Sequence, residues 1–197
     1  MAQKLIQPIN DLYLTASYKN ASYKSSFGFT HYGVDCRSEQ RKTTVYASGN
    51  GMVLAAGYDS VFGNILVIRY PEAYNRATGK YADGIVRYFH FASTCVTKGQ
   101  AVTKDTVIGQ YGNTGQYSVG AHLHFECDTD TRYPLWTPSL SGKSTFFTGS
   151  SYGAGDAAMS NPLDWIYCKF SSPDNQTYTT AGDRYINAAD KSIARLV

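Results

Sequence analysis

Six short runs rich in valine, isoleucine, tyrosine and phenylalanine most constrain the fold of this 197-residue chain. Glycine, asparagine, aspartate or lysine bounds each run, which is the pattern of strands between turns. Only residues 187–196 have a helical pattern, and it is weak. We therefore predict a mainly β fold, an antiparallel sheet or small barrel with few or no long helices. The six runs are residues 44–48, 52–58, 64–70, 85–91, 106–111 and 121–127.

The length and composition indicate one globular domain with an appended segment. Apolar residues make up 43% of the chain and charged residues 17%, a balance that excludes an intrinsically disordered chain. We predict a main domain at 1–170, with its core at 28–127, an insertion at about 129–160 and a closing segment at 161–170. The polar residues 171–197 are predicted to be a tail or linker.

Charge and hydropathy exclude several classes of partner. The net charge is +3 and the basic residues are scattered, so no stripe for nucleic acid is expected. No segment is long and apolar enough to span a membrane, and residues 1–11 do not form a secretory signal peptide. Such a chain is exported without that signal, leaves its cell by another route, or is an excised domain. As an isolated domain it is expected to be monomeric.

Four cysteines are present, and none forms a CxxC pair. That spacing argues against a zinc site made of thiolates. Disulfides and buried free thiols remain equally open from the sequence.

All four histidines fall in three segments that suit a metal hydrolase. His31 and Asp35 lie four residues apart, and Gly33 between them leaves room for an ion or a substrate. His122 and His124 alternate with apolar residues, so that both imidazoles would leave one face of a half-buried strand.

His90 lies in the third segment, where the same period of two puts Phe89 and Phe91 on the core side. Tyr88 and His90 would then face the other way. Taken alone, a histidine between two phenylalanines is more often a satisfied core residue.

Zinc fits this set of side chains. A catalytic zinc takes three protein ligands of the histidine and carboxylate type and keeps one position open. His31, Asp35 and one imidazole of the His122/His124 pair would supply them, and spacing alone does not say which imidazole. The two remaining histidines would be available for proton transfer and for stabilising the tetrahedral oxyanion. Glu126 is either a partner for a ligand imidazole or part of a surface ion pair, with neither reading favoured.

These segments resemble, in order and spacing, the lysostaphin-type (LytM-like) zinc endopeptidases, which cut peptide bonds in bacterial peptidoglycan. The resemblance covers about half the chain. The segments that carry it are His31-x-Gly-x-Asp35, Gly63-Asn-Ile-Leu-Val-Ile, Tyr88-Phe-His90, Gly112-Asn-Thr-Gly115 and Gly120-Ala-His-Leu-His-Phe-Glu126.

The resemblance implies a role for each site residue. His31, Asp35 and His124 would bind one zinc ion, and His90 and His122 would be the catalytic histidines. It also implies an antiparallel sheet with a loop-walled groove for an extended peptide, acting at the bacterial cell wall.

Substrate preference is expected to depend on loops beside the groove. The candidates are residues 113–117, with Asn113, Thr114 and Tyr117 as groove residues, and the insertion, which is much longer than the usual family connection. The insertion could equally be a solvent-exposed loop with no role. The bond that is cut cannot be read from the sequence.

Two other functions remain open at this stage. The chain could be a non-enzymatic activator or scaffold, although such relatives lack ligands that are all present here. It could also be a wall-binding module, for example in a phage tail. The absence of a signal peptide modestly favours a phage or prophage origin.

Overall fold

The structure is a computed structural model, and it describes residues 1–138 and 155–168 together with the backbone of 177–179 and 185–187. Residues 139–154, half of the predicted insertion, therefore lie outside the described residues. The predicted helix at 187–196 does so too, except for Asn187, which ends a strand.

Strands dominate the described chain, and most of them belong to one sheet. The first eight are β1 (Leu5–Ile6), β2 (Leu12–Ala16), β3 (Val34–Ser38), β4 (Thr44–Tyr46), β5 (Gly51–Asp59), β6 (Gly63–Asn75), β7 (Lys80–Thr94) and β8 (Ala101–Val102). The others are β9 (Val107–Tyr111), β10 (Leu123–Asp128), β11 (Met159–Ser160), β12 (Ile166–Tyr167), β13 (Thr177–Thr179) and β14 (Tyr185–Asn187).

Helical structure is brief in the described residues. Two short α-helices, α1 (Ala21–Phe27) and α2 (Pro162–Trp165), and one 3-10 turn (Gly155–Ala158) are present. None of these helices is long and apolar enough to cross a membrane. Helix α1 was not predicted from the sequence, although Asn20 accepts a capping hydrogen bond from the backbone N–H of Tyr23 and Gly28 ends the helix at a φ of 80°.

The main sheet has ten strands, and all its pairs are antiparallel. Its central path runs β2-β3-β10-β7-β6-β5-β8, while β9 joins β7 to β4 and β11 pairs with β10. Separately, β1 pairs in parallel with β12, and β13 forms a hairpin with β14. The predicted antiparallel, mainly β fold is confirmed.

The two faces of the sheet bury different residues. Alternation along β6 sends Leu66 and Ile68 into the larger core cluster and Ile65 and Val67 into a smaller one. The same alternation along β10 places Leu123, Phe125 and Cys127 in the larger core. The even-numbered residues of β10, starting with His124, therefore face the other side of the sheet.

The predicted alternation around His90 is wrong. Tyr88 and Phe91 both lie in the larger core, whereas Phe89 belongs to the smaller cluster on the opposite face. The physical reason is a β-bulge: the pairing of β6 with β7 shifts register here, and His90 has a φ of 65°. Its backbone N–H donates to the Phe62 carbonyl at 3.0 Å instead of continuing the ladder. The bulge brings His90 to the same side of the sheet as Phe89.

Candidate metal centre and active site

Three side chains converge where β3 and β10 lie side by side. The distance from His31 Nε2 to His124 Nδ1 is 3.1 Å, and Asp35 Oδ1 lies 2.8 Å from His124 Nδ1 and 3.1 Å from His31 Nε2. All three residues are buried. The group could hold a metal ion, and it is the one cluster of histidine, cysteine and carboxylate side chains of that kind in the described part of the chain.

Strand register explains why these residues meet. Asp35 of β3 pairs directly with His124 of β10, so their side chains leave the same face of the sheet. His31 lies just before β3 and turns back toward Asp35. A Cβ at Gly33 would lie 2.4 Å from His124 Nε2 and 2.7 Å from the Phe125 carbonyl oxygen, so only glycine fits beneath the ring.

The three ligand atoms fit a tetrahedral ion in spacing and in chemistry. Zinc–nitrogen and zinc–oxygen bonds of about 2.0–2.2 Å in a tetrahedron separate neighbouring ligand atoms by about 3.3 Å. The observed separations of 2.8–3.1 Å are close to that value. Two imidazoles and one carboxylate are also a donor set that leaves a divalent ion with a net positive charge.

Each of the four imidazoles is held through one ring nitrogen. The Nδ1 atoms of His31, His90 and His122 lie 2.8, 2.8 and 2.9 Å from the carbonyl oxygens of residues 17, 114 and 120. Since a carbonyl only accepts, these Nδ1 atoms donate, and the neutral form of each ring keeps its lone pair on Nε2. His124 differs, because its Nε2 lies 3.4 Å from Glu126 Oε1 and its Nδ1 faces the cluster.

When no ion is bound, the charged forms of Asp35 and His124 stabilise each other. Burial opposes ionisation of Asp35, but the positive charge of His31 and hydrogen bonds from His124 and His31 hold its pKa well below the usual range. Burial likewise lowers the pKa of His124, yet hydrogen bonds to Asp35 and Glu126 outweigh it and raise that pKa to about 9. A proton on His124 therefore occupies the position that an ion would take.

The other two histidines lie beside this cluster. The ring centroids of His90 and His122 are 4.8 Å apart, and His122 Nε2 lies 3.8 Å from Asp35 Oδ1. Burial, together with the neighbouring His122 and His124, lowers the pKa of His90 to about 3. His90 is therefore neutral near pH 7, and the lone pair of its Nε2 is available as a hydrogen-bond acceptor.

A cavity of about 340 Å³ opens next to the cluster. One wall is aromatic: Tyr23 stacks on the His31 ring with centroids 4.3 Å apart, and Phe29 meets Tyr117 edge-on at 5.8 Å. Helix α1, which carries Tyr23, buries none of its residues. The lining residues are Tyr23, Phe29, Thr30, His31, Tyr32, Phe62, Phe89, His90, Tyr117, His124 and Pro138.

This geometry agrees with the sequence comparison. Residues 29–134, more than half of the chain, match the model of peptidase family M23. The chain belongs to peptidase family M23. The family resemblance predicted from the histidine motifs is thereby confirmed.

Two peptidoglycan endopeptidases are similar to part of the chain. The chain is 37% identical over 84 residues to the peptidoglycan DD-endopeptidase ShyA of Vibrio cholerae. The aligned residues make up 43% of this chain and 17% of that protein. It is 32% identical over 84 residues to ShyC of the same organism, a second peptidoglycan DD-endopeptidase, with the same coverage of both chains. This chain thus matches less than a fifth of the length of each relative.

A solved structure supports the M23 fold. A crystal structure of a zinc-containing peptidase from Vibrio cholerae aligns with a TM-score of 0.50 and 26% identity, covering 64% of this chain and 37% of that one. The SpoIIQ–SpoIIIAH pore-forming complex aligns with a TM-score of 0.52 and 21% identity, covering 66% and 86%. At that identity the second likeness concerns the fold alone.

The structure brings together all five predicted metal and catalytic residues of this M23 domain. Of the three predicted groove residues, Tyr117 alone lines the cavity. Thr114 instead positions His90 through its carbonyl oxygen, and Asn113 accepts a hydrogen bond from the hydroxyl of Ser118.

Some neighbours of the site were missed or misjudged. Tyr23 was not predicted, although its helix carries readable signals in the asparagine before it and the glycine after it. Glu126 is completely buried beside His124, which rules out a surface ion pair. The alternating pattern of the strand already indicated that Glu126 shares a face with His124.

Proposed function

We propose that this M23 domain is a zinc endopeptidase that hydrolyses peptide bonds in the stem or cross-bridge peptides of bacterial peptidoglycan. The observation that carries the proposal is the cluster of two imidazoles and a carboxylate with two further imidazoles beside it. Three of these imidazoles, those of His31, His90 and His124, line the adjacent cavity. The likeness to two peptidoglycan DD-endopeptidases supports the substrate class, and the zinc-containing peptidase supports the metal. Its place of action would be the bacterial cell wall.

The single zinc ion would be held by three atoms: His31 Nε2, Asp35 Oδ1 and His124 Nδ1. When bound, zinc supplies a Lewis acid that polarises the scissile carbonyl and makes water more acidic. The protein keeps the ligands ready by donating from His31 Nδ1 to the Ser17 carbonyl and from His124 Nε2 to Glu126.

His122 is the proposed base. Its Nδ1 donates to the Gly120 carbonyl, so that the lone pair stays on Nε2, which lies 3.8 Å from Asp35 Oδ1. It would accept the proton that the attacking water loses and pass it to the leaving amine. His90, held by the Thr114 carbonyl, would stand next to it, and its Nε2 lone pair would accept a hydrogen bond from the attacking water or from the protonated His122.

The cavity beside these groups suits a peptide with small apolar side chains. Its aromatic wall, formed by Tyr23, Phe29 and Tyr117, offers apolar surface, whereas the histidines lie at its floor. We propose that residues 1–170 form the catalytic domain and that an isolated domain acts as a monomer.

Digestion of defined peptidoglycans followed by mass analysis tests the proposal. We expect new amino groups and fragments from cleavage at one type of peptide bond, with about one zinc ion per chain. Removal of zinc with a chelator should stop the digestion, and its return should restore it. Binding to sacculi without new amino groups would instead indicate a non-catalytic wall-binding or scaffold protein.

A further inference from the structure

His124 differs from the other three histidines in the group that binds the ring nitrogen not facing the metal cluster. Backbone carbonyls fix His31, His90 and His122, whereas a side-chain carboxylate, that of Glu126, faces Nε2 of His124. A carbonyl is fixed by the path of the main chain. A carboxylate can rotate, so the orientation of the His124 ring depends on whatever fixes Glu126.

Two further buried side chains fix Glu126. The Thr137 hydroxyl donates to Glu126 Oε2 at 2.7 Å, and Arg87 Nη1 lies 3.8 Å from the same oxygen. Arg87, Glu126 and Thr137 are all completely buried. A buried carboxylate needs such partners, because burial without them strongly disfavours its charge.

The register between β7 and β10 places Arg87 beside Glu126 and Phe89 beside His124. Arg87 of β7 pairs with Glu126 of β10, and Phe89 pairs with His124 two residues away. The Phe89 ring stacks on the His124 ring with centroids 5.3 Å apart and an interplanar angle of 13°. Phe89 thus sets the plane of the imidazole, and Glu126 sets which nitrogen carries the hydrogen.

Arg87 is itself firmly held. Its Nη2 donates to Asp128 Oδ2 at 2.6 Å, and its Nε donates to the Pro134 carbonyl at 3.0 Å. These bonds tie β7 and β10 to the segment that follows β10, in which Thr137 also lies. Pro138, the next residue, lines the cavity.

We infer that Thr137 and Arg87 are positioning residues that act through Glu126 on the metal ligand His124. This inference rests on the proposed function in that it takes His124 to be a zinc ligand. By fixing Glu126 as an acceptor for Nε2–H, they keep the lone pair of Nδ1 directed at Asp35 and His31. The segment after β10 thereby becomes part of the support of the metal site.

Thr137→Val tests the inference, because valine keeps the shape of threonine and removes its hydroxyl. We expect the zinc affinity, measured by competition with a chromophoric chelator, to fall about tenfold or more, as is typical when the partner of a ligand histidine is lost. Thr137→Ser, which keeps the hydroxyl, should retain the zinc affinity of the parent protein. Glu126→Gln, which removes the charge, should lower the affinity at least as much.

Thr129→Val is the matched control, since the Thr129 hydroxyl donates to the Ala158 carbonyl in the same segment but does not contact Glu126. It should leave zinc affinity unchanged. The melting temperature of each metal-free variant shows how much of any effect is general destabilisation.

The inference would be overturned if Thr137→Val and Glu126→Gln both bound zinc with an affinity within twofold of the parent protein. An equal loss in Thr129→Val would also overturn it. Neither result depends on hydrolysis, so a protein that binds zinc but cleaves no peptidoglycan would contradict the proposed function and leave this test intact.

Discussion

Gly33 lies directly beneath the ring of His124, where a Cβ would come within 2.4 Å of Nε2. The glycine of the His31-x-Gly33-x-Asp35 motif therefore leaves space for the ring of His124, the proposed zinc ligand. Any side chain here must displace the imidazole or the strand that carries it, because the Phe125 carbonyl oxygen would also be only 2.7 Å from the Cβ.

Gly33→Ala should consequently weaken zinc binding, by about tenfold or more. Gly84→Ala is the control, since its Cβ would meet Trp165 at an ordinary 3.5 Å. Chelator competition measures the affinity and thermal unfolding of the metal-free proteins measures stability. Equal zinc affinities in the two variants would show that the ring tolerates a Cβ at position 33.

Substitutions of His122 and His124 should have separable effects. His122→Ala should lower the hydrolysis rate by about 10²–10⁴-fold while zinc stays bound, since removal of a general base costs about that much. His124→Ala should lose zinc, because a ligand has been removed. Metal analysis of the dialysed variants beside a peptidoglycan digestion assay distinguishes them. A His122→Ala variant that cleaves cell walls at the parent rate would refute its role as a base.

Zinc binding should release a proton from His124 near neutral pH. Although burial opposes it, hydrogen bonds to Asp35 and Glu126 raise the His124 pKa to about 9 in the metal-free protein, so Nδ1 is protonated at pH 7. Coordination through Nδ1 must expel this proton, and zinc affinity should therefore rise with pH up to about 9.

Calorimetry in buffers of different ionisation enthalpy counts the protons released. We expect about one more proton per ion at pH 7 than at pH 10. A titration with magnesium, which imidazole sites bind poorly, corrects for dilution heats. Equal proton release at the two pH values would contradict a raised pKa at His124.

The aromatic wall should contribute to substrate binding more than to the chemical step. Phe29→Ala and Tyr117→Ala remove apolar surface from the cavity without contacting the metal ligands, so KM should rise severalfold while kcat changes little. Tyr81→Ala is a control for the loss of a half-exposed aromatic ring away from the cavity. If kcat rather than KM changes, the wall takes part in the chemical step.

Thiol reactivity should follow burial. Cys36, Cys127 and Cys168 are buried free thiols and Cys95 is exposed. Burial raises the pKa of the three buried thiols, that of Cys168 to about 12, which suppresses the reactive thiolate.

A disulfide reagent should therefore label the native protein rapidly at one site, and all four thiols after unfolding. Cys95→Ser should abolish the rapid phase. Rapid labelling of two or more thiols in the native protein would show that the buried cysteines are accessible.

Local sequence determined much of this site. Alternation along residues 122–126 alone predicted that His122 and His124 lie on one side, and Glu126 with them, because the period of a strand depends only on its own backbone. The spacing of His31 and Asp35 around Gly33 likewise indicated one ion site. The family motifs then divided the histidines into proposed ligands and proposed catalytic groups.

Tertiary structure decided the rest. The bulge that brings His90 to the cavity side arises from the pairing of β7 with β6 and from the Phe62 carbonyl, both distant in the chain. Tyr23 of helix α1 covers His31, and Thr137 in the segment after β10 holds Glu126, because both segments fold back against the sheet. A sequence pattern shows which way a regular strand points its side chains, but the partner strands determine where that regularity breaks, and there His90 lies.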